Sequence, residues 1–154
     1  MGAGTGGTSR YVLNAIKPYA ANLTYYYTDI SLGFTNYGAD RYGKEYPFVE
    51  FRELDIEDDP GKQGYKPGSI DLVLASNAIH ATKRIDRTLG RIKRLLKANG
   101  MLVLNEVTQA FHFTTITFGL TGGWWLYQDG DIRLSGAPVL SSEAWKKNLE
   151  IGGL

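Results

Sequence analysis

The chain opens on Met-Gly-Ala-Gly-Thr-Gly-Gly, four glycines in seven positions. Glycine adopts positive φ without steric cost and lets backbone approach a ligand closely. Gly2, Gly4 and Gly6 therefore form a loop able to lie against a nucleoside. Two acids follow, Asp29 at the end of "LTYYYTDI" and Asp55 at the end of "FVEFRELDI". A carboxylate about 20 residues beyond such a loop, at the tip of the second strand, can accept both ribose hydroxyls. Asp29 is placed for that, and Asp55 for the neighbourhood of the adenine. His80, in "SNAIHAT", carries the side chain whose ordinary titration lies closest to neutrality and which serves as a proton acceptor. The bland alternatives are a tight turn, solvated acids at strand ends and a hydrogen-bonded packing histidine. No Gly-Lys-Ser/Thr follows the loop, which excludes a P-loop, and G-x-G-x-G alone is shared by several classes of nucleotide-binding enzyme.

The elements that must position these residues are legible in the periodicity. In "TSRYVLNAIKPYA", Tyr11, Val12, Ala15 and Ile16 have helical spacing and Pro18 limits the helix. "LTYYYTDI" and "FVEFRELDI" are rich in aromatic and β-branched residues and read as strands. "SIDLVLASNAIHAT" is a nearly continuous apolar run, as expected of a parallel strand covered on both faces, and it ends at Ser76, Asn77 and His80. "TKRIDRTLGRIKRLLKANG" places Ile85, Leu89, Ile92, Leu95 and Leu96 on one face of a helix, with Asn99-Gly100 as its stop. "MLVLNEVT" is the next buried strand. The aromatic stretch "FHFTTITFGLTGGWWLYQDGDIRLSG" reads as a helix or lid-like excursion before a final helix capped by Ser141 or Ser142. This alternation predicts a doubly wound α/β domain with a mostly parallel sheet. In such a sheet ligands bind beyond the carboxyl ends of the strands, where the loop, Asp29, Asp55 and His80 all emerge.

Composition narrows the function classes. The chain has 154 residues, 43% of them hydrophobic, and a formal net charge of +1. That length supports one domain with a real core, and the charge lacks the basic excess that nucleic-acid binding needs. Without cysteine there are no disulfides, thiolate metal sites or cysteine nucleophiles, and no metal is expected. No leader pattern and no run of about 18 apolar residues is present. A cytoplasmic protein, neither secreted nor membrane-bound, is expected.

With "GAGTGGTS", "YTDIS", "LDIE", "DLVLASNAIHAT", "LLKANGMLVLNE" and "FGLTGGWW" in order, the chain resembles the class I S-adenosylmethionine-dependent methyltransferases. It looks most like the C-methyltransferase domains embedded in polyketide synthases. The resemblance implies a Rossmann-like fold, S-adenosylmethionine as cofactor, and methyl transfer to the α-carbon of a β-ketoacyl chain on an acyl carrier protein. It implies neighbouring synthase domains as partners. It carries a histidine–glutamate dyad to His80 and Glu106, and cofactor contacts to Gly2, Gly4, Gly6, Asp29, Asp55, Ile56 and Asn77. Chemically, carbon methylation needs removal of the α-proton, and a carboxylate behind a neutral imidazole fixes its tautomer and stabilises the imidazolium that forms.

Relative to that family, a first strand should precede the loop and further strands should follow the last helix. The sequence is thus expected to be a piece of a larger synthase. His112 in "AFHFTT" reads as packing or pocket lining, and Trp124, Trp125 and Tyr127 as either core or acyl-pocket wall. Arg84, Arg87, Arg91 and Arg94 recur along one helix face, either as a docking stripe for an acidic carrier protein or as a solvated face. Competing functions are methylation of oxygen or nitrogen, a non-catalytic structural domain, and a nicotinamide-dependent reductase. The last would need a Tyr-x-x-x-Lys pair, and none is present.

Overall fold

Pro18 and the glycine loop set the limits of the first helix. In the computed structural model, which describes residues 1–154, α1 (Gly7–Ile16) begins directly after Gly6, whose φ of 79° no L-residue adopts readily. It gives way to a 3₁₀ turn over Lys17–Asn22, with the proline in its first turn. The chain divides into two compact units, Met1–Asp55 and Ile56–Leu154.

In the first unit, β1 (Tyr25–Asp29) and β2 (Val49–Glu53) pair in parallel, Tyr25 opposite Val49 and Asp29 opposite Glu53. The crossover is α2 (Leu32–Tyr42). The core is Leu13, Tyr27, Tyr42 and Tyr46, with Ile16, Tyr25, Phe48 and Phe51 around it. A core this rich in tyrosine must give each hydroxyl a partner. Tyr27 donates to the Gly4 carbonyl at 2.8 Å, Tyr42 to the Gly6 carbonyl at 3.1 Å and Tyr46 to Asn14 Oδ1 at 2.6 Å. Gly38 on α2 admits the Tyr27 ring, because a Cβ there would stand 2.7 Å from its Cε1.

In the second unit, β3 (Ile70–Ser76) pairs in parallel with β4 (Leu96–Asn105), Leu72 opposite Met101 and Ser76 opposite Asn105. The crossover is α3 (Ile85–Leu95), which buries Ile85, Leu89, Ile92 and Leu95. Two helices follow, α4 (His112–Phe118) and α5 (Ser142–Gly152). Ser141, not Ser142, caps α5, its Oγ accepting from Ala144 N at 3.1 Å.

Two expectations are corrected here. The helix expected to run to Asn99-Gly100 stops at Leu95, because the carbonyls of Arg94 and Leu95 accept from Gly68 N at 2.8 Å and Ser69 N at 3.1 Å. Leu96 then turns extended and pairs with Ile70, and Asn99 makes its turn at φ 65° inside the strand span. Nor is β3 covered on both faces within this chain. Val73 and Ala75 are buried, whereas Leu72 and, opposite it, Met101 are 53% and 61% exposed. The arginine face is a mixed one: Arg84 pairs with Asp86 at 2.8 Å, Arg94 with Asp59 at 3.5 Å, and Arg91 reaches the Ile56 carbonyl at 3.4 Å.

Candidate functional site

The glycine loop takes positive φ at alternate residues, 60° at Gly2, 53° at Gly4 and 79° at Gly6. The Ala3 N–H bonds the Thr28 carbonyl at 3.0 Å, and the Gly4 N–H bonds Asp29 Oδ2 at 2.9 Å, so the loop is stitched to the end of β1. The other oxygen of Asp29, Oδ1, accepts from Ser31 N at 2.9 Å. Asp29 is buried, 7% exposed. Each of its oxygens uses one acceptor position on the protein and keeps a further lone pair.

The glycines divide by what lies beside them. A Cβ on Gly6 would fall 2.7 Å from Tyr42 Cε2 and 3.1 Å from the Tyr27 hydroxyl, so its bareness serves packing. A Cβ on Gly4 would meet nothing within 4 Å. The Gly4 side of the loop is therefore open, beside a carboxylate with acceptor capacity in reserve. That cradle fits the expected nucleoside, backbone close to one part and a carboxylate for its diol. Burial pushes the Tyr27 hydroxyl up to about 12, so it remains the donor that holds the Gly4 carbonyl.

Asp55 is half-buried just beyond β2, and the Leu54 N–H bonds the Asp29 carbonyl at 2.9 Å, tying that strand end to the cradle. Ile56 is buried. Asn77 has φ 49°, and its Oδ1 accepts from Val107 N at 3.0 Å. Its side-chain oxygen thus joins the end of β3 to the segment after β4.

The structure brings His80 and Glu106 together. His80 lies in a 3₁₀ turn, Ile79–Ala81, that follows β3, and Glu106 is the residue after β4. The parallel register that sets Ser76 opposite Asn105 carries both to the same end of the strand pair. His80 Nδ1 stands 2.5 Å from Glu106 Oε2. Glu106 Oε1 accepts from Ala78 N at 3.0 Å and Ile79 N at 2.9 Å. Both carboxylate oxygens are occupied, and the side chain of Glu106 is 2% exposed. A carboxylate in this position assigns the proton of a neutral imidazole to Nδ1 and leaves Nε2 as the acceptor.

An unanticipated group backs this turn. Arg133, buried, donates from Nη1 to the His80 carbonyl at 2.6 Å and from Nη2 to the Thr82 carbonyl at 2.9 Å. Its Nε donates to Asp129 Oδ1 at 2.7 Å, and Asp129 Oδ2 accepts from Ile85 N at 2.8 Å at the start of α3. The only sequence signal was an acid and an arginine four apart in "DGDIR", which is as common on a surface.

Of the aromatic residues, Trp124 is buried with Ala137 and Val139, meets the His80 ring edge-on at 6.2 Å and stacks on Phe118 at 5.9 Å. Trp125 is about half exposed, its Nε1 donating to the Gly119 carbonyl at 2.9 Å. Tyr127 packs beneath the Arg133 guanidinium at 5.5 Å. His112, expected to pack or to line a pocket, is exposed at the start of α4, a helix that buries none of its residues. No helix is long and apolar enough to cross a membrane.

Residues 1–102 match the methyltransferase domain family. Polyketide synthase PksM of Bacillus subtilis (strain 168) is 43% identical over 154 residues, 99% of this chain and 4% of that protein. The crystal structure of DszA carbon methyltransferase superposes with a TM-score of 0.94 at 52% identity, over 98% of this chain and 38% of that one. The trans-methyltransferase CalH, in complex with SAH, superposes at 0.87 with 36% identity, over 99% and 42%. The chain thus spans a small part of the curated relatives it matches.

Proposed function

Because this chain belongs to the class I S-adenosylmethionine-dependent methyltransferases and is similar to the carbon methyltransferases of polyketide synthases, we propose that it methylates the α-carbon of a β-ketoacyl thioester on an acyl carrier protein. The observation that carries the reading is the His80–Glu106 pair, with Nδ1 committed to the carboxylate and Nε2 left as acceptor. The cofactor residues proposed are Gly2, Gly4 and Gly6 for close backbone approach, Asp29 for the ribose diol, Asp55 and Ile56 beside the adenine, and Asn77 near the methionine part.

When bound, S-adenosylmethionine supplies an electrophilic methyl group on a sulfonium. The work left to the chain is to make the α-carbon nucleophilic. His80 takes the α-proton at Nε2, and the electron pair left behind is delocalised over the β-keto and thioester carbonyls. The imidazolium formed is stabilised by the Glu106 carboxylate, which two backbone N–H groups hold in place. A positioned base of this kind contributes about 10²–10⁴ in rate. Trp124, edge-on to His80, supplies an apolar wall that excludes water from the ring.

The test is to give the full-length protein 13C-methyl-labelled S-adenosylmethionine and a carrier-bound β-ketoacyl chain, with a His80→Gln variant in parallel. Label on the α-carbon, lost in the variant, is expected. Label on oxygen or nitrogen, or undiminished carbon labelling by the variant, would overturn the reading.

A further inference from the structure

The imidazole of His80 is held at its side-chain end by Glu106, but the backbone that carries it is held by something else. Arg133 places one guanidinium against three carbonyls: Nη1 donates to His80 O at 2.6 Å and to Pro138 O at 2.5 Å, and Nη2 to Thr82 O at 2.9 Å. The bonded carbonyls at His80 and Thr82 flank Ala81, so the peptide inside the 3₁₀ turn and the one just after Thr82 are fixed by one planar fork. Such a fork is a property of arginine that a lysine cannot reproduce.

The guanidinium is itself immobilised. Asp129 Oδ1 accepts from its Nε at 2.7 Å, the Tyr127 ring lies 5.5 Å beneath it, and its side chain is 1% exposed. Asp129 Oδ2 accepts the Ile85 N–H at 2.8 Å, which fastens the assembly to the first turn of α3. Thr82 Oγ1 donates to the Ile79 carbonyl at 2.8 Å and accepts from Thr88 Oγ1 at 2.9 Å, closing the turn from the helix side. A buried charge is costly unless paired and fully bonded. Here two of those bonds fall on the turn that carries His80, at its own carbonyl and at that of Thr82.

We infer that Arg133, oriented by Asp129, is a positioning residue that sets the reach of His80 Nε2 through the carbonyls of His80 and Thr82. This rests on the reading of His80 as the base. A displacement of about 1 Å in a positioned group lowers rate by about 10²-fold.

The test uses the full-length protein and follows deuterium uptake from D₂O at the α-carbon of a β-ketoacyl pantetheine thioester, with no methyl donor added. Arg133→Lys keeps a cation for Asp129 and removes the fork. The expected result is a fall of about 10²-fold in kcat for exchange, with KM for the thioester within about twofold, measured below the variant's unfolding transition. Loss of stability alone would lower the active fraction and vanish on cooling, whereas mispositioning persists and moves kcat alone. If Arg133→Lys does not fold, Asp129→Asn retains the guanidinium but replaces its charged acceptor by an amide with one oxygen for two donors, Arg133 Nε and Ile85 N, and should lower kcat by about tenfold. Native exchange by the folded variant overturns the inference. A His80→Gln control separates the two ideas. If exchange is abolished in His80→Gln and native in Arg133→Lys, the positioning role fails and the base stands. If exchange persists in His80→Gln, the base reading fails and takes this inference with it.

Discussion

Replacing Glu106 by glutamine is a one-atom change whose consequence depends on which of its oxygens does what. Oε1 satisfies the Ala78 and Ile79 N–H groups, and Oε2 orders His80 Nδ1. In Glu106→Gln the amide oxygen retains the two backbone donors, because the alternative flip would set an NH₂ against two N–H groups. The NH₂ then faces Nδ1 and donates to it. That reverses the tautomer: the imidazole proton moves to Nε2, and the atom that should accept the α-proton is occupied. The expected loss is the whole contribution of the base, about 10²–10⁴ in kcat, with little change in thioester KM. Folding should change modestly, since the two backbone bonds persist. Glu106→Ala removes both acceptors and orphans the N–H groups of buried Ile79 and half-buried Ala78, a loss of up to about 1–3 kcal/mol each. The assay is α-proton exchange in D₂O alongside urea unfolding of both variants. Exchange within about threefold of native in a folded Glu106→Gln protein would refute the tautomer argument, and so would equal destabilisation by the two substitutions.

The cradle yields contrasting glycine substitutions. Gly4→Ala should cost only the left-handed backbone, about 1–2 kcal/mol, but abolish measurable binding of S-adenosylhomocysteine by calorimetry, since its Cβ enters the open space. Gly6→Ala should cost about 2–5 kcal/mol in denaturant unfolding, from the same backbone plus the clash with Tyr42. Asp29→Asn, which replaces a charged acceptor by a neutral one, should weaken that binding by roughly tenfold or more, since a hydrogen bond to a charged group contributes about 1.5–3 kcal/mol; an unchanged Kd would remove Asp29 from the site. Tyr27 titrates near 10 in the unfolded chain and at about 12 when folded. Its raised value contributes stability that is present below pH 10 and lost as pH rises toward about 12. The fall in urea midpoint over that range should be shallower in Tyr27→Phe than in the native protein.

Much of the fold was legible because local periodicity and strand-end chemistry agree. The apolar face of α3, the acid ending β1 and the glycines opening α1 are each dictated by neighbours in sequence. What was not legible depended on distant backbone. The end of α3 at Leu95 is decided by Gly68 and Ser69, which supply donors to its last carbonyls, and no helix propensity carries that information. The exposure of Leu72 and Met101 depends equally on what packs against a strand rather than on its own apolar run.

The same distinction separates His80 from Arg133. A histidine after a buried strand and a glutamate after the next are at matching positions of a parallel pair, so register alone brings them together. Arg133 comes from an irregular aromatic segment, and its partners are carbonyls, which every residue possesses. A side chain that works by bonding backbone leaves no complementary residue in the sequence to betray it. Yet the imidazole's reach is decided at both ends: a carboxylate fixes the ring's proton, and a guanidinium fixes the peptide that carries the ring. Losing Glu106 should therefore disable the base by tautomer with the ring still in place, while losing Arg133 should leave the tautomer intact and the ring misplaced. The combined Glu106→Gln and Arg133→Lys protein should lose little more than Glu106→Gln alone, because mispositioning a base that is already protonated removes nothing further.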